Sequence, residues 1–392
     1  MPYRILHVHG GGCLGGVEVW LANLARLADP AEFELHIAAA ELLQEEKALF
    51  QRHGAVVVHR HLPRRPPGLG IEVHRILQQH GPYHAVHAHL NTNSGFVLAA
   101  AKAAGVPIRI AHSHLDSRAV KKSRIRLMYE ALGRQLIRFS ATHGLAASEE
   151  AATALFGTNW RTDPRWLVHC CGIDLEPFAC RFDRGLVRSE LGIPAAALVV
   201  GHVGRFGEQK NQQFLFGIGT LLLERRPDIY FLLVGDGPTR MSIANSFAEA
   251  GFKERVIQPG NRYDVPRLMQ AAMDVFVFPS LYEGLGLAAI EAQAAALPCI
   301  VSDAIPAEVD VIPELVQRLP LANASLWADQ IEIALNRGRQ YSARAAQEMI
   351  ASSRFNVVNE VNELLALYRD WAAHASCLTD SHVLAHSPGD SR

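Results

Sequence analysis

Residues 275–291 read VFVFPSLYEGLGLAAIE, and this stretch decides the fold. Val275–Phe278 is an unbroken apolar run, the pattern of a strand buried on both faces, and Pro279 ends it. A glycine-rich loop follows, and then Leu285–Ala296, whose length suits a helix. Strand, loop and helix in succession are the repeating unit of a parallel sheet covered by helices. Glu283 sits on the loop, and the helix is expected to begin around Gly284–Leu285, where freed N–H groups bind anionic oxygens. Glu291 follows after a rise of roughly 12 Å if the stretch is fully helical. Carboxylates so spaced suit two hydroxyl-bearing groups flanking a diphosphate. The plainer reading makes Glu283 a helix-start carboxylate and Glu291 a surface residue. Glu291, however, precedes Ala292-Gln293-Ala294-Ala295-Ala296, an apolar run expected to be buried, where an ionisable group needs a partner.

The same unit recurs on both sides. Leu198–Val203, Ile229–Val234 and Ile300–Ser302 read as strands, and Asn211–Glu224 and Val265–Ala272 as helices. Gly235-Asp236-Gly237-Pro238 is a turn. The first half gives strands at Ile5–His9, Glu34–Ala40, His84–His89, Arg109–His112, Gly144–Ala147 and Trp166–His169, with an amphipathic helix over Val17–Leu27. The fold class is therefore α/β: two doubly wound, Rossmann-like domains in tandem, over residues 1–176 and 177–354. The join falls in Cys171–Phe182. Ala343–Ala373 is helical with a break at Ser353-Arg354-Phe355, which sets off a C-terminal helix over residues 355–375. Residues 376–392 turn to Ser, His, Asp, Pro and Gly and read as a disordered tail.

Composition narrows the function. The chain has 392 residues, 49% apolar and 20% charged, which suffices for two or three ordinary domains and argues against disorder as its main theme. Lys plus Arg number 38 against 39 Asp plus Glu, so a generally basic nucleic-acid binder is not expected. No run approaches the ~18 apolar residues of a membrane span, and the N-terminus lacks a signal-peptide pattern. A cytoplasmic location is expected. Cys13, Cys170, Cys171, Cys180, Cys299 and Cys377 form no C-x-x-C pair and read as reduced thiols, the adjacent pair included.

Three motif groups carry chemistry. Gly10-Gly11-Gly12-Cys13-Leu14-Gly15-Gly16 matches G-x-G-x-x-G between a strand and a helix. It fits a dinucleotide, with Glu41 on the ribose, and equally a phosphate or sugar approaching bare backbone. Gly204-Arg205-Phe206 and Gln209-Lys210-Asn211 follow a strand and open a helix. Arg205 and Lys210 would converge at the C-terminal sheet edge on a diphosphate, or stand as solvated loop charges. His7/His9, His87/His89 and His112/His114 alternate along strands. Same-face pairs could hold zinc, but no cysteine pair or carboxylate cluster supports it, and no metal is expected. They read instead as strand-end residues lining a cleft.

Together these pieces resemble the retaining glycosyltransferases of family 4, which have the GT-B fold, in the flavour of bacterial exopolysaccharide and capsule transferases. The matching segments are Gly15-Gly16-Val17-Glu18, Gly204-Arg205-Phe206 with Gln209-Lys210-Asn211, Val234-Gly235-Asp236-Gly237-Pro238, and the E-x7-E pair Glu283 and Glu291. Cys171-Gly172-Ile173-Asp174 with Phe178 looks like the family's N-G-I-D…F linker, with Cys for Asn. The resemblance covers about residues 3–373. Gly286-Leu287 departs from it where many members carry Pro or Phe.

The resemblance implies two domains facing across a cleft and a C-terminal helix returning to the first. It implies a nucleotide diphosphate sugar as donor, UDP favoured over GDP, with no cofactor, and a saccharide or lipid-linked saccharide as acceptor. Arg205 and Lys210 would hold the diphosphate, and Glu283 with the backbone of Gly284, Leu285 and Gly286 the transferred sugar and diphosphate. Glu291 would hold the ribose. Backbone near Asn261, Arg262 and Tyr263 would read the base, and Gly15 and Gly16 would allow close approach. His112 matches the family's cleft histidine near the sugar, with His114 second, and His89 and Asn91 are further acceptor or cleft candidates. An NAD-dependent dehydrogenase and a catalytically silent partner subunit of a transferase complex are the alternatives. Within residues 118–138, Arg118, Lys121, Lys122, Arg124, Arg126, Arg134 and Arg138 face a single acid, Glu130, among apolar residues. This is either a solvated helix on the N-terminal sheet or a dock on anionic lipid at the inner face of the plasma membrane.

Overall fold

In the computed structural model, which describes residues 2–11, 15–59, 61–63, 68–114 and 123–384, the apolar runs form two separate, wholly parallel sheets. The first holds β1 (Tyr3–Gly11), β2 (Phe33–Glu41), β3 (Val56–His59), β4 (Ala85–Ala88), β5 (Ile108–Ser113), β6 (His143–Ala146) and β7 (Trp166–Val168). The second holds β8 (Leu198–Val203), β9 (Ile229–Val234), β10 (Val256–Gly260), β11 (Val275–Phe278), β12 (Cys299–Ser302) and β13 (Val316–Leu319). Their orders are β3-β2-β1-β4-β5-β6-β7 and β10-β9-β8-β11-β12-β13. Each order reverses once, between β1 and β4 and between β8 and β11. There successive connections leave in opposite directions and open a crevice beyond the carboxyl ends of the strands.

Three strands went unread in the sequence: β3, β10 and β13. All are sheet edges. An edge strand pairs on one side only, so β13 needs no continuous apolar run and β10 even carries Pro259, whereas β3 is a short apolar run, residues 56–58, that passed unread.

The chain divides into two compact units. One runs to Gly172 and resumes at Val357; the other spans Ile173–Asn356. The boundaries thus differ from the expected 176/177 and 354/355. Ile173 already belongs to the second unit, because its N–H donates to the Phe355 carbonyl at 2.8 Å and it bridges Asn356. The helix Val357–Leu384 belongs to the first unit, where Glu360 accepts from Trp20 Nε1 at 3.0 Å. The expected tail begins too early: this helix runs on through Leu384, since the first proline beyond it is Pro388 and no glycine intervenes. Residues 385–392 lie outside the described ones.

The helix after β11 needs a second correction. It begins at Leu287, not at Gly284–Leu285, and ends at Ala294. Gly286 caps it at φ 104°, a left-handed conformation that a side chain would strain. Glu283 to Gly286 is therefore loop, and the fully helical spacing from Glu283 to Glu291 does not hold.

One buried cation joins the two strands that flank the second reversal. Arg188 donates to the carbonyls of Ala195 (2.8 Å), Ala197 (2.7 Å) and Ala272 (3.0 Å), and to Asp274 Oδ2 at 2.7 Å. Asp274 precedes β11, and the same oxygen accepts from Val199 N–H of β8 at 2.8 Å. Arg188→Ala strips three carbonyls of their donor and leaves the Asp274 carboxylate with only Arg184 and the Val199 N–H. Urea unfolding should show a loss of about 3–5 kcal/mol, and a loss below about 1 kcal/mol would contradict this role.

Candidate functional site

The crevice beyond β8 and β11 is built from two loops tied together. Gln212, at the start of the helix Gln212–Arg225, shapes the first. Its Nε2 donates to the Arg205 carbonyl at 3.0 Å, and its Oε1 accepts from Gly207 N–H at 3.1 Å. A 3-10 turn over Glu208–Lys210 then leads into Asn211 at φ 53°, a left-handed conformation in which Asn is enriched. Lys210 folds back over Gly204, and its Nζ lies 4.4 Å from the centroid of the Phe278 ring.

Lys210 Nζ donates to Glu283 Oε1 at 2.7 Å. Gln209 Nε2 donates to Glu283 Oε2 at 3.1 Å and to the Tyr282 carbonyl at 3.1 Å. The Gln209 carbonyl accepts from Leu281 N–H at 2.8 Å. Glu283 is buried, and both its oxygens are occupied. Gln209 was legible only as part of the Gln209-Lys210-Asn211 motif, and its bond to Glu283 was not, because a glutamine in a loop carries no signal of its own.

The other expected residues divide. Arg205 is exposed, and among the described residues its side chain has no hydrogen bond or ion pair. Glu291 is half-buried and likewise without a partner among the described residues. Burial pushes its carboxyl up to about 7, with the Lys210 charge pulling the other way. Asn261, Arg262 and Tyr263 follow β10, two strands from β8, and Arg262 is committed to Asp264 at 2.7 Å. Ser280 Oγ is buried with no partner among the described residues.

In the first unit the ends of β1, β4 and β5 gather six histidines. His7 Nδ1 lies 3.1 Å from His89 Nε2, His89 Nδ1 2.9 Å from His114 Nε2, and His114 Nδ1 3.8 Å from Cys171 Sγ. In a second row, Tyr368 Oη lies 2.7 Å from His87 Nδ1, and His87 Nε2 3.1 Å from His112 Nδ1. Trp20 stands edge-on to His87, His89 and His112. Burial, then the neighbouring rings, hold His87, His89 and His112 well below the ordinary histidine value, and burial takes His114 to about 4. All are neutral imidazoles at physiological pH. His7, His87 and His89, and again His89, His112 and His114, bring ring nitrogens within 4.8 Å of one another, close enough for a metal ion to bridge. Several of these nitrogens are shared in the hydrogen bonds between rings.

His9 Nδ1 meets Glu18 Oε1 at 3.2 Å, and Glu18 Oε2 accepts from Gly15 N–H at 3.0 Å. Gly15 caps the helix Gly16–Leu27. Gly12, Cys13 and Leu14 of the first glycine loop lie outside the described residues. Asn91 opens the turn after β4 at φ 49°. Tyr368 was illegible in sequence, since it lies 281 positions from its histidine partner.

Comparison with known proteins bears on this arrangement. Residues 14–177 match the model of Glycosyltransferase Family 4, and residues 183–351 that of Glycosyl transferases group 1. The protein EpsF of Bacillus subtilis (strain 168), whose name assigns it glycosyl transfer, is 34% identical over 376 residues, 93% of this chain and 96% of that protein. This chain belongs to glycosyltransferase family 4. This glycosyltransferase is also 30% identical over 239 residues to an Escherichia coli enzyme. That match spans 59% of this chain and 61% of a protein named UDP-Gal:alpha-D-GlcNAc-diphosphoundecaprenol alpha-1,3-galactosyltransferase. Among solved structures, the Anabaena protein Alr3699/HepE, in complex with UDP and glucose, covers 94% of this chain and 100% of its own at a TM-score of 0.78. At 21% identity that likeness is one of fold, and the fold is GT-B.

Glu291 yields a prediction with a defined sign. Its folded value, about 7, lies above the ordinary 4.5, so its ionisation opposes folding. The penalty is absent below about 4.5, grows as pH rises and is complete above about 7. Glu291→Gln should therefore match the wild type near pH 4.5 and exceed it near pH 8 by on the order of 1–3 kcal/mol in urea unfolding. A difference that does not change with pH would sink this account.

Proposed function

We propose that this glycosyltransferase takes its sugar from a nucleotide diphosphate sugar, with UDP as the nucleotide, and transfers it with retention of configuration. The acceptor we assign is a hydroxyl of a lipid-linked saccharide in cell-surface polysaccharide assembly. One observation carries the reading: Lys210 and Glu283 meet at the strand-order reversal, with the cation Arg205 on the same loop as Lys210 and the carboxylate Glu291 on the helix after Glu283, both without a hydrogen bond among the described residues. A diphosphate supplies the anion for Lys210 and Arg205. A ribose supplies the hydroxyls for Glu291.

The chemistry we assign is electrostatic. As the sugar–phosphate bond breaks, negative charge develops on the leaving diphosphate, and Arg205, Lys210 and the backbone of Gly284, Leu285 and Gly286 stabilise it. Glu283 is a poor covalent nucleophile here, because Gln209 and Lys210 hold both its oxygens. That favours attack on the same face, with the leaving phosphate taking the acceptor proton. His112 is assigned to the transferred sugar, with His89, Asn91, His114, Gly15 and Gly16 around it, and Asn261–Tyr263 to the base. No cofactor or metal is assigned a step. Two names among the relatives support the substrate classes: the Anabaena protein was solved with UDP and glucose, and the Escherichia coli enzyme is named for UDP-Gal and a diphosphoundecaprenol acceptor.

The helix Arg124–Ser140 favours a further contact, with an anionic membrane surface. Its inner side is Glu130, Gly133, Ile137 and Ser140. Gly133 is required there, because a Cβ would stand 2.3 Å from the Thr92 carbonyl. The opposite side exposes Ile125 (80%), Met128 (74%), Leu132 (50%) and Phe139 (67%) at helical spacing, with Arg124, Arg126, Arg134 and Arg138 on the same helix. An apolar stripe with basic neighbours suits the headgroup boundary of a bilayer. Arg118, Lys121 and Lys122 lie outside the described residues. No helix among the described residues is long and apolar enough to cross a membrane.

Calorimetry with UDP, GDP, ADP and NAD tests the donor reading. UDP should bind best, and Arg205→Ala, Lys210→Ala and Glu291→Ala should each weaken it by about 1.5–3 kcal/mol. His112→Ala should lower turnover far more than donor affinity. Undiminished UDP binding in all three donor-site variants would overturn the assignment, and binding without turnover on any acceptor would point to the silent-subunit alternative.

Sedimentation with vesicles tests the membrane contact. Binding should require anionic lipid and weaken with salt, at roughly 1 kcal/mol per basic residue. Ile125→Asp with Met128→Asp should abolish it. Binding that survives this double substitution would place the contact elsewhere.

A further inference from the structure

We infer that Tyr368, on the helix Val357–Leu384, fixes the proton of His112 on Nε2 by way of His87. Tyr368 is then a positioning residue for the sugar contact assigned to His112, and in that respect it rests on the proposed function.

Three buried groups stand in a row: the Tyr368 hydroxyl, 2.7 Å from His87 Nδ1; His87 Nε2, 3.1 Å from His112 Nδ1; and His112 Nε2, which has no partner among the described residues. A neutral imidazole has one N–H and one lone pair, so once one end of such a row is set, every proton in it is set. Burial keeps both rings neutral.

The Tyr368 hydroxyl has His87 as its only hydrogen-bond partner among the described residues. If it donates, His87 accepts at Nδ1 and donates from Nε2, His112 accepts at Nδ1, and the His112 proton lies on Nε2. One buried donor is then left over, at the sugar contact. In the opposite polarity two groups are left over: the phenol proton and the bare Nε2 lone pair of His112. Each buried orphan is costly, so the first polarity prevails, and a sugar oxygen that accepts from Nε2–H completes it. His112 is then a preset hydrogen-bond donor and not a base.

The neighbouring row behaves differently. His7, His89 and His114 end on Cys171, whose thiol both donates and accepts weakly, so nothing there sets a direction. The Tyr368 row is the polarised one.

Nitrogen-15 labelling of histidine tests this directly. Long-range proton–nitrogen correlation spectra, with His112 assigned by its loss in His112→Gln, should show a pyrrole-like Nε2 and a pyridine-like Nδ1 in the wild type. Tyr368→Phe, which removes one oxygen, should move His112 toward the Nδ1-protonated form. It should also lower kcat by about tenfold or more, as wrong tautomers do, with UDP affinity within about twofold. In the His112→Gln background, the same substitution should change kcat by less than about twofold, since no tautomer remains to be set. A wild-type His112 protonated on Nδ1 would overturn the inference without any variant. So would an unchanged tautomer in Tyr368→Phe, or an equal loss of kcat in the Gln background. Full turnover in His112→Ala would instead remove the sugar assignment, a failure that the tautomer spectrum does not share.

Discussion

The ion pair of Lys210 with Glu283 spans the one place where the second sheet can be entered. In a parallel sheet covered by helices, every strand end is closed by its own connection, except where the strand order reverses. Between β8 and β11 the connections part, and the loops that leave those strands meet through Lys210, Gln209 and Glu283. At the opposite ends of the same two strands, Arg188 and Asp274 provide a second tie. The reversal is therefore fixed from both sides, and the exposed cation Arg205 and the unpaired carboxylate Glu291 are held on a rigid frame.

The two carboxylates of the E-x7-E pair show how environment separates identical chemistry. Glu283 is buried with a cation and an amide on its oxygens, so its desolvation is offset within the protein. Glu291 is half-buried without a partner, and burial raises it to about 7. The first carboxylate organises the loop. The second has no hydrogen bond among the described residues, and we assign it to the donor's ribose. The shared motif spacing conceals this division, because the helix starts at Leu287 and the two residues stand on different kinds of backbone.

The sequence disclosed the buried strands and the residues that follow them, because a strand covered on both faces must be apolar along its length. It hid β10 and β13, where one-sided pairing relaxes that demand, and the short apolar run of β3 was passed over. Within the sites, Lys210, Glu283, Glu291 and His112 were legible from motifs beside strand ends. Arg205 was legible in the same way, but the left-handed turn at Asn211 that follows Lys210 was not. Gln209 was legible without a role, and Trp20 and Tyr368 were silent. Each acts through a partner brought near by folding alone: Gln209 pairs with Glu283, Trp20 with Glu360, and Tyr368 with His87.

Buried polar groups are ordinarily satisfied, and the exceptions are informative about use. Here the satisfied groups and the exceptions stand side by side. Arg188 spends its guanidinium on carbonyls and Asp274, whereas Glu360 meets the Trp20 indole and His169 on one oxygen and has no partner among the described residues on the other. Among the described residues, Ser280 Oγ at the end of β11 and His112 Nε2 at the end of β5 are without partners, as are His7 Nε2 and His9 Nε2 on β1. A chain selected for stability alone would pair them, since each orphan costs about 1–3 kcal/mol. Ser280 and His112 both stand at strand ends, where ligands of such sheets bind, a placement consistent with the substrate contact that we propose for His112.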